Sequence, residues 1–163
     1  MRIRAAILVA SDRISRGVEQ DRSGALAAQL LAEVADADVA EVRVVPDELE
    51  RIAETLREWC AEGMDLILTV GGTGFSPRDV TPEATRTVIE REAPGISTAL
   101  LVRGLESTPR AMLSRATAGV CGRTLIVNLP GSRSAVTESV EYLLEVLPHA
   151  LEIIGGAPEA YTD

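Results

Sequence analysis

What most constrains the fold of this chain is the alternation of short apolar runs with segments of helical spacing. Ile3 to Ala10, Val39 to Val45 and Leu66 to Val70 read as strands. Between them, Asp21 to Ala35 places Leu26, Leu30, Leu31 and Val34 at helical intervals, and Asp47 to Cys60 does the same with Leu49, Ile52, Leu56 and Trp59. A β-α-β-α-β rhythm implies a parallel sheet with right-handed crossovers. Apolar residues make up 46% of the chain and aromatics only 2%, so the core has to be built from Val, Leu, Ile and Ala. Such aliphatic cores suit parallel sheets covered by helices on both faces. The expectation is an α/β fold, with one domain over residues 1–163 that buries roughly two thirds of its unfolded surface.

The second half continues the pattern less regularly. Thr81 to Arg91 reads as a helix, Ile96 to Leu105 as another after the Pro94-Gly95 break, and Ala111 to Ser114 as a helical turn. Ala116 to Asn128 suggests a strand, a tight turn near Cys121-Gly122 and a last core strand from Thr124. Ser132 or Ser134 can cap a helix running to about Leu147, and Pro148 opens a short final helix that ends at Gly155-Gly156.

The third strand empties into Gly71-Gly72-Thr73-Gly74-Phe75-Ser76-Pro77-Arg78-Asp79-Val80-Thr81-Pro82-Glu83. Glycines let backbone N–H groups approach a ligand and accept positive φ, so such a loop can curl around a phosphate. Thr81-Pro82-Glu83 reads as N-cap, N1 proline and first-turn acid of the next helix. A Walker A loop is excluded, because it needs lysine and the chain has none. A dinucleotide fingerprint fails as well, since Pro77 stands where its third glycine belongs.

A formal charge of −9 argues against nonspecific binding to nucleic acid or to an anionic membrane. All 16 cationic side chains are arginine, whose planar fork suits phosphate, so a local positive pocket stays open on this acidic body. Cys60 and Cys121 lack CxxC spacing and signal neither a zinc site nor a redox pair; they read as buried thiols. The N-terminal run is too short and too soon polar for a signal peptide, and no stretch approaches a membrane span, so a cytoplasmic location is expected.

In a parallel sheet the strand C-termini share one edge, and ligands collect there. The polar exits are Ser11-Asp12, Asp47, Gly71 to Asp79, and Asn128 to Ser132. Asp47-Glu48-Leu49-Glu50 has the form of a capping box, so Asp47 stands open between helix cap and metal ligand. Asp79 precedes the Thr81 cap and is not needed as one. Asn128-Leu129-Pro130-Gly131-Ser132 can be a plain turn or a second anion site at a helix N-terminus. Carboxylates among phosphates call for a cation, and Mg²⁺ is held by one or two carboxylates, waters and substrate phosphate oxygens. His149, the only histidine, reads as a surface or cap residue, so a histidine general base is not expected.

Gly71-Gly-Thr-Gly74 through Asp79-Val-Thr-Pro-Glu-Ala-Thr85, with Leu113-Ser-Arg115 and Asn128-Leu-Pro-Gly-Ser132, closely resembles the MogA/MoaB molybdenum-cofactor biosynthesis family, which includes the gephyrin G domain. Ser11-Asp-Arg-Ile-Ser-Arg-Gly17 and Val45-Pro-Asp-Glu48 fit the same pattern, so the likeness spans essentially the whole chain. The resemblance implies a three-layer α/β/α sandwich with a mostly parallel sheet, assembled as a trimer or a dimer of trimers, that binds molybdopterin. It further implies adenylylation of molybdopterin by ATP with Mg²⁺, releasing diphosphate, and a molybdate-inserting enzyme as a downstream partner. Asp47 and Asp79 would be the essential, metal-holding carboxylates. The Gly71, Gly72, Thr73, Gly74 loop would hold phosphate, and Ser114 with Asn128, Pro130, Gly131 and Ser132 would line the pocket. Ser11 and Asp12 join this set at the first strand exit, and Arg78 and Arg115 are candidate phosphate partners or else pair with carboxylates. Some MoaB-type members keep the fold with little or no transferase activity, and the compact run between Gly131 and Pro148 is similar to theirs. A pterin-binding or carrier protein is therefore the alternative.

Overall fold

The computed structural model describes residues 2–157. Met1 and residues 158–163, which the expected domain limits include, lie outside the described residues. The chain runs β1 (Arg4–Ala10), α1 (Asp12–Ser15), α2 (Ser23–Val34), β2 (Asp38–Val45), α3 (Leu49–Ala61), β3 (Leu66–Val70), α4 (Thr81–Arg86), β4 (Arg91–Glu92) and α5 (Pro94–Ser107). A 3-10 turn (Pro109–Leu113), β5 (Ala118–Cys121), β6 (Thr124–Leu129), α6 (Arg133–Leu144) and α7 (Leu147–Ile154) complete it.

The strands form one sheet in the order β2-β1-β3-β6-β5-β4. β2, β1, β3 and β6 are mutually parallel, whereas β5 runs antiparallel to both β6 and β4. Alternating residues of β1 supply two separate cores. Ala5, Ile7 and Val9 pack with Leu31 of α2, Val136, Val140 and Leu143 of α6, and Leu151 of α7. Ala6, Leu8 and Ala10 pack with Ile52, Leu56 and Trp59 of α3 and Ala84 of α4. Strands buried on both faces explain the unbroken apolar runs, and the three-layer α/β/α arrangement follows.

Several boundaries differ from those read in the sequence. The helix expected over Thr81 to Arg91 stops at Arg86, because the chain turns through Thr87 to Glu90 and pairs with the sheet edge, Glu90 N donating to Val120 O at 2.9 Å. Arg91–Glu92 is thus a strand. α2 begins at Ser23, with the Asp21 carboxylate accepting from the amides of Gly24 (2.9 Å) and Ala25 (3.1 Å). Thr81 is the first residue of α4 rather than its cap, which is Val80. Cys60 and Cys121 are half-buried, pack on the second core and lie near one another; burial pushes the Cys60 thiol up to about 12.

Candidate functional site

The four parallel strands end at one edge, so all four expected polar exits lie there. After β3 the backbone takes φ of 89° at Gly71 and 68° at Gly72, the left-handed region that glycine enters freely. Side chains are excluded by contact too: a Cβ on Gly71 would stand 2.7 Å from the Ala10 carbonyl oxygen. The loop after β6 crosses close by, with the Cβ position of Gly131 only 3.5 Å from the Gly71 Cα. Ser132 caps α6, its hydroxyl accepting from Ala135 N at 3.3 Å.

Two clefts flank this Gly71–Gly131 ridge. The first, of about 530 Å³, is floored by Gly71 to Gly74, Asp79, Asn128 and Pro130 to Ser132, and walled by α5 and the 3-10 turn, including Ser114. The second, of about 560 Å³, lies over the start of α2 and takes in Ser11, Asp21, Arg22, Gly71, Gly131 and Arg133. Arg103, Arg110 and Glu138 also line the first cleft. Sequence reasoning missed them, because nothing in the spacing shows that α5 folds over the glycine loop. Among the described residues Arg110 has no ion pair, whereas Arg103 is held by Glu106 at 2.5 Å.

Asp12, Asp47 and Arg78 form a linked group at the same edge. The Asp12 amide donates to Asp47 Oδ2 at 2.9 Å, and the Asp47 amide donates to Asp12 Oδ1 at 3.0 Å. Arg78 grips Asp12 with two bonds, Nε to Oδ2 at 2.9 Å and Nη2 to Oδ1 at 3.1 Å, and holds its carboxyl below the usual range. Arg78 is therefore engaged by a carboxylate in the structure. The capping-box reading of Asp47 is overturned: Glu48 is the N-cap of α3, no side chain bonds the first turn, and the Asp47 carboxylate faces Asp12 instead. Burial pushes the Asp47 carboxyl up; the Asp12 amide offsets part of this, and the Asp12 and Asp79 charges add to it. Its Oδ1 is buried with no partner. Asp79 accepts from Ser76 N at 3.0 Å and is only half-buried.

Arg115 sits behind the loop as a brace. Its Nε donates to Gly74 O at 2.8 Å, its Nη2 to Asp79 O at 2.8 Å, and its Nη1 pairs with Glu83. Asn128 is spent in the same way: Oδ1 accepts from Thr117 N at 3.1 Å, and Nδ2 donates to the Thr69 and Thr85 hydroxyls, each at 2.9 Å. Both residues shape the floor from within. Among the described residues no group of three or more His, Cys, Asp or Glu is placed to hold a metal by itself. The orphaned Asp47 oxygen and the nearby Asp79 charge do fit a cation completed by substrate phosphates, the usual way Mg²⁺ is held.

The class defined by these features is a three-layer α/β domain whose polar sheet edge carries two adjoining clefts and a glycine-lined loop. Residues 6–149 match the family model described as a probable molybdopterin binding domain, and the chain belongs to that family. It is 36% identical to a molybdopterin adenylyltransferase of Helicobacter pylori, covering 94% of this chain and 89% of that protein. Dictyostelium discoideum gephyrin is 42% identical over 94% of this chain, which spans only 23% of gephyrin's length. Against the chlorobial molybdenum cofactor biosynthesis bifunctional protein, this chain spans 49%. The crystal structure of the molybdopterin biosynthesis enzyme MoaB of Thermus thermophilus superposes with a TM-score of 0.88 at 50% identity, covering 96% of this chain and 98% of that one.

Proposed function

We propose that this protein is a molybdopterin adenylyltransferase that acts in molybdenum cofactor biosynthesis as one domain over the whole chain. An oxygen of the terminal phosphate of molybdopterin attacks the α-phosphorus of ATP, the bond to the β-phosphate breaks, and diphosphate leaves. The observation that carries this reading is the pair of clefts meeting on the Gly71–Gly131 ridge, beside a buried carboxylate oxygen with no partner. Two substrates need adjoining sites, and two polyanions cannot share one set of amides. Both loops border both clefts, meeting at Gly71 and Gly131, and along that shared floor the glycine loop takes the nucleotide phosphates and the Asn128 to Ser132 turn takes the pterin side. Match to a molybdopterin adenylyltransferase over 94% of this chain supports the assignment.

The attacking phosphate has a second ionisation near pH 6, so no strong base is required at neutral pH. Catalysis then rests on positioning and on charge neutralisation. Asp47 and Asp79 would hold a Mg²⁺ ion, which when bound neutralises charge on the transferring phosphoryl group. Asp12 keeps Asp47 in place through the paired amide bonds, and Arg78 locks Asp12. Val102 and Leu105 of α5 and Met112 of the 3-10 turn are exposed apolar side chains of the kind that self-association, as a trimer or a dimer of trimers, would cover. Among the described residues no helix is long and apolar enough to cross a membrane, which accords with a cytoplasmic enzyme handing its product to a molybdate-inserting partner. Asp47→Asn and Asp79→Asn test the reading: each should keep the melting temperature within about 3 °C, a loss of about 1 kcal/mol or less, and lose nearly all transfer. A variant with wild-type turnover removes its carboxylate from the mechanism.

A further inference from the structure

Besides Asp47 Oδ1, two buried oxygens have no partner: Glu83 Oε2, whose carboxylate is already paired with Arg115 through Oε1, and the Thr81 hydroxyl, whose residue has no side-chain partner at all. Thr81 is fully buried at 0% exposure, yet its hydroxyl oxygen has no hydrogen-bond partner. Three other helical threonines turn their hydroxyls back to the carbonyl four residues earlier: Thr55 to Arg51, Thr85 to Thr81 and Thr137 to Arg133, at 2.8–3.0 Å. Thr81 opens α4, so no helical carbonyl lies behind it. Leaving a buried hydroxyl unpaired is destabilising, and a simple core position would avoid it by using valine.

Where this hydroxyl points is informative. A Cβ built on Gly72 would stand 2.3 Å from Thr81 Oγ1 and 3.2 Å from Asp47 Oδ1. Two buried oxygens without partners therefore flank one spot beside the Gly72 Cα, one neutral and one from a carboxylate. Hard oxygen donors of these two kinds are what Mg²⁺ and Mn²⁺ accept. Glycine at 72 keeps the space between them clear of any side chain.

We propose that the Thr81 hydroxyl supplies the neutral oxygen of a divalent-cation site whose charge comes from Asp47. The inference rests on the cation-dependent reading above and adds a residue to it. Thr81 thereby fixes the side of the glycine loop on which the cation lies, and ties the start of α4 to its occupancy.

The test is Mn²⁺ binding followed by the electron paramagnetic resonance of the free ion, without nucleotide or pterin, with melting curves alongside. Thr81→Val should melt at or above the wild-type temperature, since a methyl replaces an unpaired hydroxyl, and should bind Mn²⁺ about tenfold or more weakly. Thr81→Ser should retain affinity within about threefold, and Thr81→Ala, which differs from it only by the hydroxyl, should not. That serine–alanine pair carries the test if valine disturbs the loop. Wild-type affinity in Thr81→Val and Thr81→Ala, with loss in Asp47→Asn, overturns the role of Thr81 alone. Wild-type affinity in Asp47→Asn overturns the cation site and the inference together, whereas no Mn²⁺ binding by the wild type at millimolar concentration overturns the inference and leaves the cation completed by substrate phosphates standing.

Discussion

Replacing Asn128 with alanine separates a structural floor from a ligand contact. Three hydrogen bonds disappear, from Thr117 N and to the hydroxyls of Thr69 and Thr85, all in a region where Asn128 itself is 2% exposed. At about 1 kcal/mol net for each bond, the direct loss is about 3 kcal/mol. The Thr117 amide nitrogen is then left without its side-chain acceptor, and an unpaired buried donor adds about 1–3 kcal/mol. Thr85 loses less, because its hydroxyl keeps its own bond to Thr81 O at 2.8 Å. A total of about 4–6 kcal/mol is a large share of the 5–15 kcal/mol that holds a domain together. For a chain of this size it should lower the melting temperature by about 8–24 °C. Thermal unfolding followed by far-ultraviolet circular dichroism reads this directly. A fall below about 3 °C would mean that the buried network contributes little, and that Asn128 is held for a ligand instead.

Gly72→Ala should cost about 2–5 kcal/mol, combining the left-handed backbone at φ 68° with a Cβ 2.3 Å from the buried Thr81 hydroxyl, and chemical denaturation would measure it. On the acid side, Glu41 is held below the usual glutamate range by hydrogen bonds from Arg43 and Trp59, so its contribution is present above that range and fades as pH falls through it. Glu41→Gln should therefore flatten the acid limb of a melting-temperature profile, by at most about 1 kcal/mol because the pair is partly solvated. Asp47 acts in the opposite sense: its contribution is present below the ordinary aspartate range and fades as pH rises through its raised value, which offsets part of the Glu41 effect.

The architecture was legible because strands buried on both faces write themselves as unbroken apolar runs, as Ala5 to Ala10 and Leu66 to Val70 do. The shared edge followed from parallel order alone. β4 escaped notice because two residues, Arg91 and Glu92, carry no periodicity, and their pairing with Val120 and Gly119 is decided elsewhere in the chain. Asp47 was ambiguous for a related reason. A capping box is a local pattern, but the partner that claims its carboxylate, Asp12, lies 35 residues away. The same distance left Arg78 and Arg115 open between phosphate and carboxylate partners; Arg78 closes on Asp12, and Arg115 on Glu83 and the backbone of the glycine loop. Cys60 and Cys121 show it once more, being neighbours in space with no motif to join them.

Adenylyl transfer itself is tested most directly by incubating the protein with molybdopterin, ATP and Mg²⁺ and measuring diphosphate. Release should require all three and should stop when the cation is chelated. Binding of molybdopterin with no diphosphate formed, under conditions where the Asp47 and Asp79 carboxylates are intact and the protein is folded, would contradict the transferase reading and leave a pterin-binding protein in its place.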